Sequence, residues 1–282
     1  MANSSASAGL PRQIPYIIGN EACERFSFYG MRNILVPFLV SSLLLAYLPE
    51  SERQGAAKDV FHTFVIGVYF FPLLGGWIAD RFFGKYNTVL WLSLVYCAGH
   101  ACLALFADNR NGFYTGLLLI ALGSGGIKPL ISAFVGDQFD QRNKSNAKLV
   151  YDAFYWIINF GSFFASLLMP IFLRSFGPAI AFGIPRVLMG IATLIFWAGR
   201  HKYVHVPPAP PNPHSFLRVA RTALLAQSNG ESRPGLVIAG VGALLAGASL
   251  LLMPQMGFVI AAVLALGLLI ALGGWGTSLQ LN

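Results

Sequence analysis

Two carboxylates and two guanidiniums stand at the head of the first long apolar run, in the stretch Glu21-Ala-Cys-Glu-Arg-Phe-Ser-Phe-Tyr-Gly-Met-Arg32. On a helix, at about 100° per residue, Glu21, Glu24, Arg25 and Arg32 share an arc of roughly 100°, with Tyr29 on its border and a stripe length of about 16 Å. The apolar residues that follow, Ile34 to Leu48, are too few for a span, which needs about 20. The span must therefore reach back to Tyr29, which puts Tyr29 and Arg32 at membrane depth and Glu24 and Arg25 at its inner boundary or deeper. Ionisable groups there are expensive and mark ion or solute pathways. A carboxylate beside a cation at that depth can trade an ion pair for a proton, and the released cation can then attract an anionic solute.

Further polar residues lie in later apolar runs. Gly123-Ser-Gly-Gly126-Ile-Lys128-Pro129 puts a lysine about two-thirds along the fourth run. That lysine either lines a cavity, where glycines and Pro129 are tolerated, or snorkels to the headgroups. The fifth run carries Asp152, Tyr155, Asn159, Ser162 and Ser166. Their spacings of three and four draw one polar stripe, on which Tyr155 and Asn159 suit a polar solute and the two serines suit bonds between helices. In the second run His62 and Tyr69 share a face. His62 is open to two readings, an interfacial histidine or one that titrates in transport.

Composition limits what these residues can serve. The chain has 282 residues, 56% of them hydrophobic and 11% charged, against about 25% charged in a soluble domain. It reads as an all-α polytopic membrane protein. The net charge of +8 does not point to nucleic acid, because the basic residues fall in particular loops. Spans are expected at 14–48, 60–79, 87–107, 112–135, 149–173 and 179–199, with polar loops at 49–59 and 136–148 and turns at 80–85, 108–111 and 174–178. A proline-rich segment, 200–234, follows. Within it, 215–227 is expected to form a basic amphipathic helix on the membrane surface. Two charge-free apolar runs, 235–253 and 255–275, close the chain. Basic residues number eleven on one side of this topology and four on the other, so the positive-inside rule puts the N-terminus in the cytoplasm; Arg186 fits neither side. Cys23, Cys97 and Cys102 all lie in apolar runs and read as small buried hydrophobes with no disulfide or metal spacing. No zinc-ligand pair, nucleophile elbow or dinucleotide loop is present, so neither an enzyme nor a cofactor is expected.

Gly75-Gly76-Trp-Ile-Ala-Asp80-Arg81-Phe-Phe-Gly84-Lys85 resembles the cytoplasmic-loop motif of the major facilitator superfamily, with Gly76, Asp80, Arg81, Gly84 and Lys85 as its matching residues. Glu21-x-x-Glu24-Arg25-Phe, Gly125-Gly-Ile-Lys128-Pro129-x-x-Ser132-Ala-Phe-x-Gly-Asp137-Gln138-Phe139 and Phe154-Tyr155-x-x-Ile158-Asn159-x-Gly161-Ser162 are similar, in order and helix position, to the signatures of the proton-dependent oligopeptide transporter family. The likeness covers roughly residues 14–206. It implies proton coupling by Glu21, Glu24 and Arg25 with Lys128 as their paired lysine, and His62 resembles a functionally important histidine of the animal branch. It implies a peptide site lined by Arg25, Tyr29, Arg32, Tyr69, Lys128 and Asn159, to which the polar stripe adds Tyr155. Where the family often has two adjacent tyrosines, this chain has Phe28 and Tyr29, and the missing hydroxyl bears on substrate preference.

The resemblance implies a fold of two six-helix bundles with the solute between them. This chain supplies a six-helix N-terminal bundle (14–199) after a cytoplasmic tail (1–13). A cytoplasmic linker (200–234), an additional transmembrane hairpin (235–275) and a short tail (276–282) complete it, and the second bundle is a missing partner. The expected activity is proton-coupled symport of di- and tripeptides by alternating access in the plasma or inner membrane. The alternatives are another solute, such as nitrate or an amino acid, and a non-transporting membrane sensor or scaffold.

Overall fold

The computed structural model describes residues 9–210, 218, 222 and 234–281. The amphipathic helix expected at 215–227 therefore lies outside the described residues, apart from positions 218 and 222. The chain divides into two compact units, Met1–Ala209 and Pro210–Asn282.

The first unit is built from α1 (Ile14–Ser41), α2 (Glu50–Ile78), α3 (Gly84–Leu105), α4 (Arg110–Asp137) and α5 (Ala147–Ala198). Several boundaries differ from the sequence expectation. α1 stops at Ser41 rather than running to Leu48, because Ser42 is extended and the Ser41 and Ser42 hydroxyls donate to carbonyls of the last turn. A 3₁₀ turn, Leu43–Leu45, follows. The polar loop expected at 49–59 is helical from Glu50 onward. Glu50 and Glu52 lie in the first turn, where carboxylates complement the positive end of the helix dipole. The basic turn after α2 is a π-helical turn, Ala79–Phe83, ended by Gly84 at φ 74°. No turn of five residues separates the fifth and sixth spans; the helical path breaks only at Gly177 (φ 78°, ψ 176°), a conformation that suits glycine. That break divides α5 into two limbs, 147–176 and 178–198.

Close contacts fix the directions of the helices. Along α4, positions 116, 120, 123 and 126 meet α3 at positions 99 to 102, 99, 96 and 92 in turn, so α3 and α4 are antiparallel. Gly75 of α2 packs on Gly126 so tightly that a Cβ on Gly75 would lie 2.5 Å from the Gly126 Cα. Gly76, the glycine singled out from the loop motif, meets nothing within 4 Å, so the close approach belongs to Gly75. The glycines of α4 also serve packing against α2 and α3 rather than a thinned wall, and α4 continues without interruption through Pro129. α1 lies between the limbs of α5. Asn33 donates to Ser166 of the first limb at 2.7 Å, and Asn20 donates to the Ala192 carbonyl of the second at 3.0 Å.

Two aromatic clusters close the ends of this unit. Phe38, Phe113 and Phe182 pack at the end where α1 stops. At the end where α1 begins, Tyr203 packs on Tyr86, Phe134 and Phe196, and burial raises its phenol well above the usual range. Residues 200–209 strap this end. Gln138 donates to Val204 O and accepts from Val204 N, Gln13 donates to Gln138, and Ala209 N donates to Asp80 O at 2.9 Å.

The second unit contains α6 (Pro234–Leu251), α7 (Met253–Met256), α8 (Phe258–Leu268) and α9 (Gly274–Leu281), with a π-helical turn, Leu269–Gly273, between the last two. The apolar run expected to span from 255 is thus interrupted at Gly257, which has φ 80°, and again by the π turn. Ser249 donates to the Ala246 carbonyl at 2.8 Å and is buried.

Candidate functional site

The charges that head α1 fold inward. Glu21, Glu24 and Arg25 are 2%, 1% and 7% exposed. The Arg25 Nε donates to Glu21 Oε1 at 2.6 Å, one turn away, and lies 2.8 Å from Glu24 Oε2. One guanidinium is thus shared by two carboxylates. The sharing is unequal, because neither Glu24 oxygen makes a hydrogen bond. α5 approaches this knot at Gly161, where a Cβ would lie 3.4 Å from the Arg25 Cβ, leaving no room for a side chain between the helices.

Lys128 of α4 reaches the same region. Its Nζ stands 3.3 Å from the centroid of the buried Phe28 ring, a cation–π contact. Among the described residues Lys128 forms no ion pair, yet its charge interacts electrostatically with Glu24, Glu21 and Arg32. The sequence reading paired Lys128 with the α1 carboxylates; the structure gives it the phenyl face that stands where the resemblance puts a tyrosine. Arg32 is half-buried with its guanidinium 5.6 Å from the Phe61 centroid.

The remaining residues line a more open face. Tyr69 and Tyr155 are 76% and 70% exposed, and Asn159 is exposed with its amide donating to the Tyr155 carbonyl at 2.8 Å. Tyr29 is half-buried, its ring edge-on to Phe28. His62 is exposed and packs edge-on against Phe61. None of Tyr69, Tyr155, Asn159 and His62 hydrogen-bonds to the Glu–Arg knot among the described residues. Of the polar stripe on α5, Ser166 bonds α1 through Asn33.

The loop motif is a separate polar site. Lys85 donates to both oxygens of Asp137, at 2.9 and 2.7 Å, tying the start of α3 to the end of α4. Asp80 and Arg81 are exposed, and Asp80 contributes its carbonyl to the strap. A Cβ on Gly84 would lie 3.2 Å from Val206 O.

Three residues beyond the expected set connect to Glu24. Tyr96 of α3 is fully buried and interacts with its carboxylate, Ser124 of α4 is a fully buried neighbour of the Tyr96 hydroxyl, and His100 stacks on Tyr96. The signal was present as Ser93, Tyr96 and His100 at i, i+3 and i+7 in an apolar run. The cysteines are free and half-buried, and Cys97 meets the Thr193 hydroxyl at 3.4 Å, so this thiol is not only an apolar filler.

The POT family model matches residues 86–246. "Peptide transporter family 1" of Drosophila melanogaster is 43% identical over 213 residues, 71% of this chain and 28% of its own length. "Peptide transporter family 2" of Caenorhabditis elegans is 37% identical over 79% of this chain and 29% of its own. Among solved structures, the in meso crystal structure of the POT family transporter PepTSo superposes with a TM-score of 0.92 at 63% identity, over 97% of this chain and 54% of that one. A peptide transporter in complex with alafosfalin gives a TM-score of 0.65 at 26% identity, over 89% of this chain and 54% of that one. The chain spans less than a third of these curated relatives and about half of these structures.

Proposed function

Because the chain belongs to the POT family, a family of multi-pass membrane transporters, we propose that it forms the N-terminal part of a proton-coupled symporter of di- and tripeptides. In this reading residues 14–199 form the first bundle, 200–234 the linker and 235–275 an added hairpin. The N-terminus is cytoplasmic and the membrane is the plasma or inner membrane. The observation that carries the reading is one buried guanidinium shared between Glu21 and Glu24, with Lys128 near enough to sense both but bonded to neither.

Formal charge gives the coupling logic. Two carboxylates and Arg25 sum to one negative charge, which Lys128 balances. Adding one proton leaves one positive charge in a low-dielectric site, where charge imbalance is costly. A peptide carboxylate restores the balance by taking over Arg25 or Lys128. When the peptide leaves, the internal pair re-forms and the proton becomes the excess charge. Binding of proton and solute is thus mutually reinforcing, as linkage requires. The half-exposed and exposed Tyr29, Arg32, Tyr69, Tyr155 and Asn159 hold the solute in this reading, and His62, near the middle of α2, belongs to the proton-coupling set.

The test is Glu24→Gln in the full transporter reconstituted in liposomes. Accumulation of dialanine driven by a pH gradient is expected to be lost, while dialanine counterflow, which needs no net proton movement, persists. Accumulation at the wild-type level sinks the reading. Competition by dialanine against nitrate and free amino acids identifies the solute class.

A further inference from the structure

Ser93, Tyr96 and His100 form a polar stripe along α3, and the hydroxyl of Tyr96 interacts with Glu24 of α1 and Ser124 of α4. Ser93, Tyr96, His100 and Ser124 are fully buried, at 1%, 0%, 0% and 0% exposure. The Ser93 hydroxyl and both ring nitrogens of His100 lack hydrogen-bond partners, and the Tyr96 and Ser124 hydroxyls and the Glu24 carboxylate, though they interact with one another through Tyr96, are not held in well-aligned hydrogen bonds. Buried polar atoms are rarely left so, and each such group in a native protein needs an explanation. Packing alone would be served better by phenylalanine at 96 and an apolar residue at 100.

The Tyr96 ring is held in place. It stacks on His100 with centroids 4.9 Å apart and an interplanar angle of 22°. α4 presses on its base at Gly123, where a Cβ would lie 2.7 Å from the Tyr96 Cβ. The hydroxyl so positioned interacts with Glu24, Arg25 and Ser124. Glu24 and Arg25 of α1 interact with the hydroxyl and His100 of α3 stacks on the ring, while Lys128 of α4 interacts with the same Glu24 and Arg25.

We propose that Tyr96, held by its stack on His100, is a positioning residue that receives the Glu24 carboxylate when Arg25 turns to the solute. With Arg25 engaged, Glu24 has no internal cation within bonding distance, and the Tyr96 hydroxyl, which already interacts with it, is the donor at hand. Donation to the charged form favours release of the coupling proton. The imidazole ring serves by fixing the phenol, not by exchanging the proton. This inference rests on the proposed role of Glu24.

Three variants of the full transporter in liposomes, assayed for pH-driven dialanine uptake and counterflow beside Glu24→Gln, test it. Tyr96→Phe keeps the ring, the stack and the fold but removes the donor. The pH of half-maximal uptake is expected to rise by about one unit, a tenfold change in proton affinity, with counterflow unchanged. His100→Ala should give part of the same rise, and His100→Phe, which restores a ring, should reverse it. An unchanged pH midpoint in Tyr96→Phe overturns the role of Tyr96, and a His100→Ala profile identical to wild type overturns the role of the stack. If Glu24→Gln accumulates dialanine normally, the coupling reading fails instead.

Discussion

The molecule contains two acid–base clusters of opposite design. Lys85 and Asp137 form a matched pair, one cation with two bonds to one carboxylate, at 23% and 18% side-chain exposure. Arg25 is contested by two carboxylates, and all three side chains are at most 8% exposed. A matched pair near water holds two helix ends together and gains little by changing partners. A contested cation in a dry site leaves one carboxylate the less firmly held, here Glu24, and in the proposed coupling that is the group the proton takes. The difference lies in partner count and burial, not in residue type.

Substitutions can break this contrast, beginning with the contested site. Arg25→Lys replaces a fork with a point charge that reaches one carboxylate at a time. pH-driven dialanine uptake by the reconstituted transporter is expected to fall more than tenfold, with protein yield near wild type; uptake within twofold of wild type contradicts the shared-cation picture. Gly75→Ala places a methyl group 2.5 Å from the Gly126 Cα and 2.6 Å from its carbonyl oxygen, backbone atoms that cannot swing aside. Overpacking of this kind costs about 1–3 kcal/mol, so thermal unfolding in detergent should shift downward at every pH, without the pH signature of the Glu–Arg knot.

Two milder changes sharpen the contrast. Phe28→Leu removes the ring that holds Lys128, a contact worth about 0.5–2 kcal/mol. Freed, Lys128 pairs with Glu24 and competes with its proton, so the pH of half-maximal uptake should fall by about half a unit or more, opposite in sign to Tyr96→Phe. A rise would show that the ring does not restrain the lysine. Lys85→Asp and Asp137→Lys should each cost about 0.5–1 kcal/mol by thermal unfolding, in the range of partly exposed pairs. The double swap should recover most of that loss, with the pH midpoint of uptake untouched throughout.

Motif spacing made the Glu21–Arg25 pair legible in the sequence, because residues four apart on one helix are neighbours; the approach of Arg25 to its chain neighbour Glu24 was not. Helical character was legible from apolar runs. What was not legible depended on neighbours. Charges at 50–59 suggested a loop, yet the two glutamates favour a helix start. Gly75 and Gly76 are indistinguishable in a string, and only the approach of α4 selects Gly75. The four polar or breaking residues among 174–178 suggested a turn, whereas a single glycine reverses the chain. Phe28 read as a lost hydroxyl; the ring in its place holds a cation. Tyr96 and His100 lay in an apolar run and looked like packing, since their importance depends on what α1 brings opposite them.

The bond between Arg25 and Glu21 lies within one helix, and this bears on how the protein enters the membrane. α1 falls outside the set of described helices that length and composition alone mark as able to cross a bilayer. Each charged residue at mid-membrane adds about 2.5–3.5 kcal/mol to insertion. A pair one turn apart neutralises itself as soon as the first helix forms, before any partner helix has been synthesised. Glu24 and Arg32 then await companions: Phe61 of α2, the next helix to emerge, meets Arg32, and α3 and α4, which follow it, carry the Tyr96 and Lys128 that interact with Glu24.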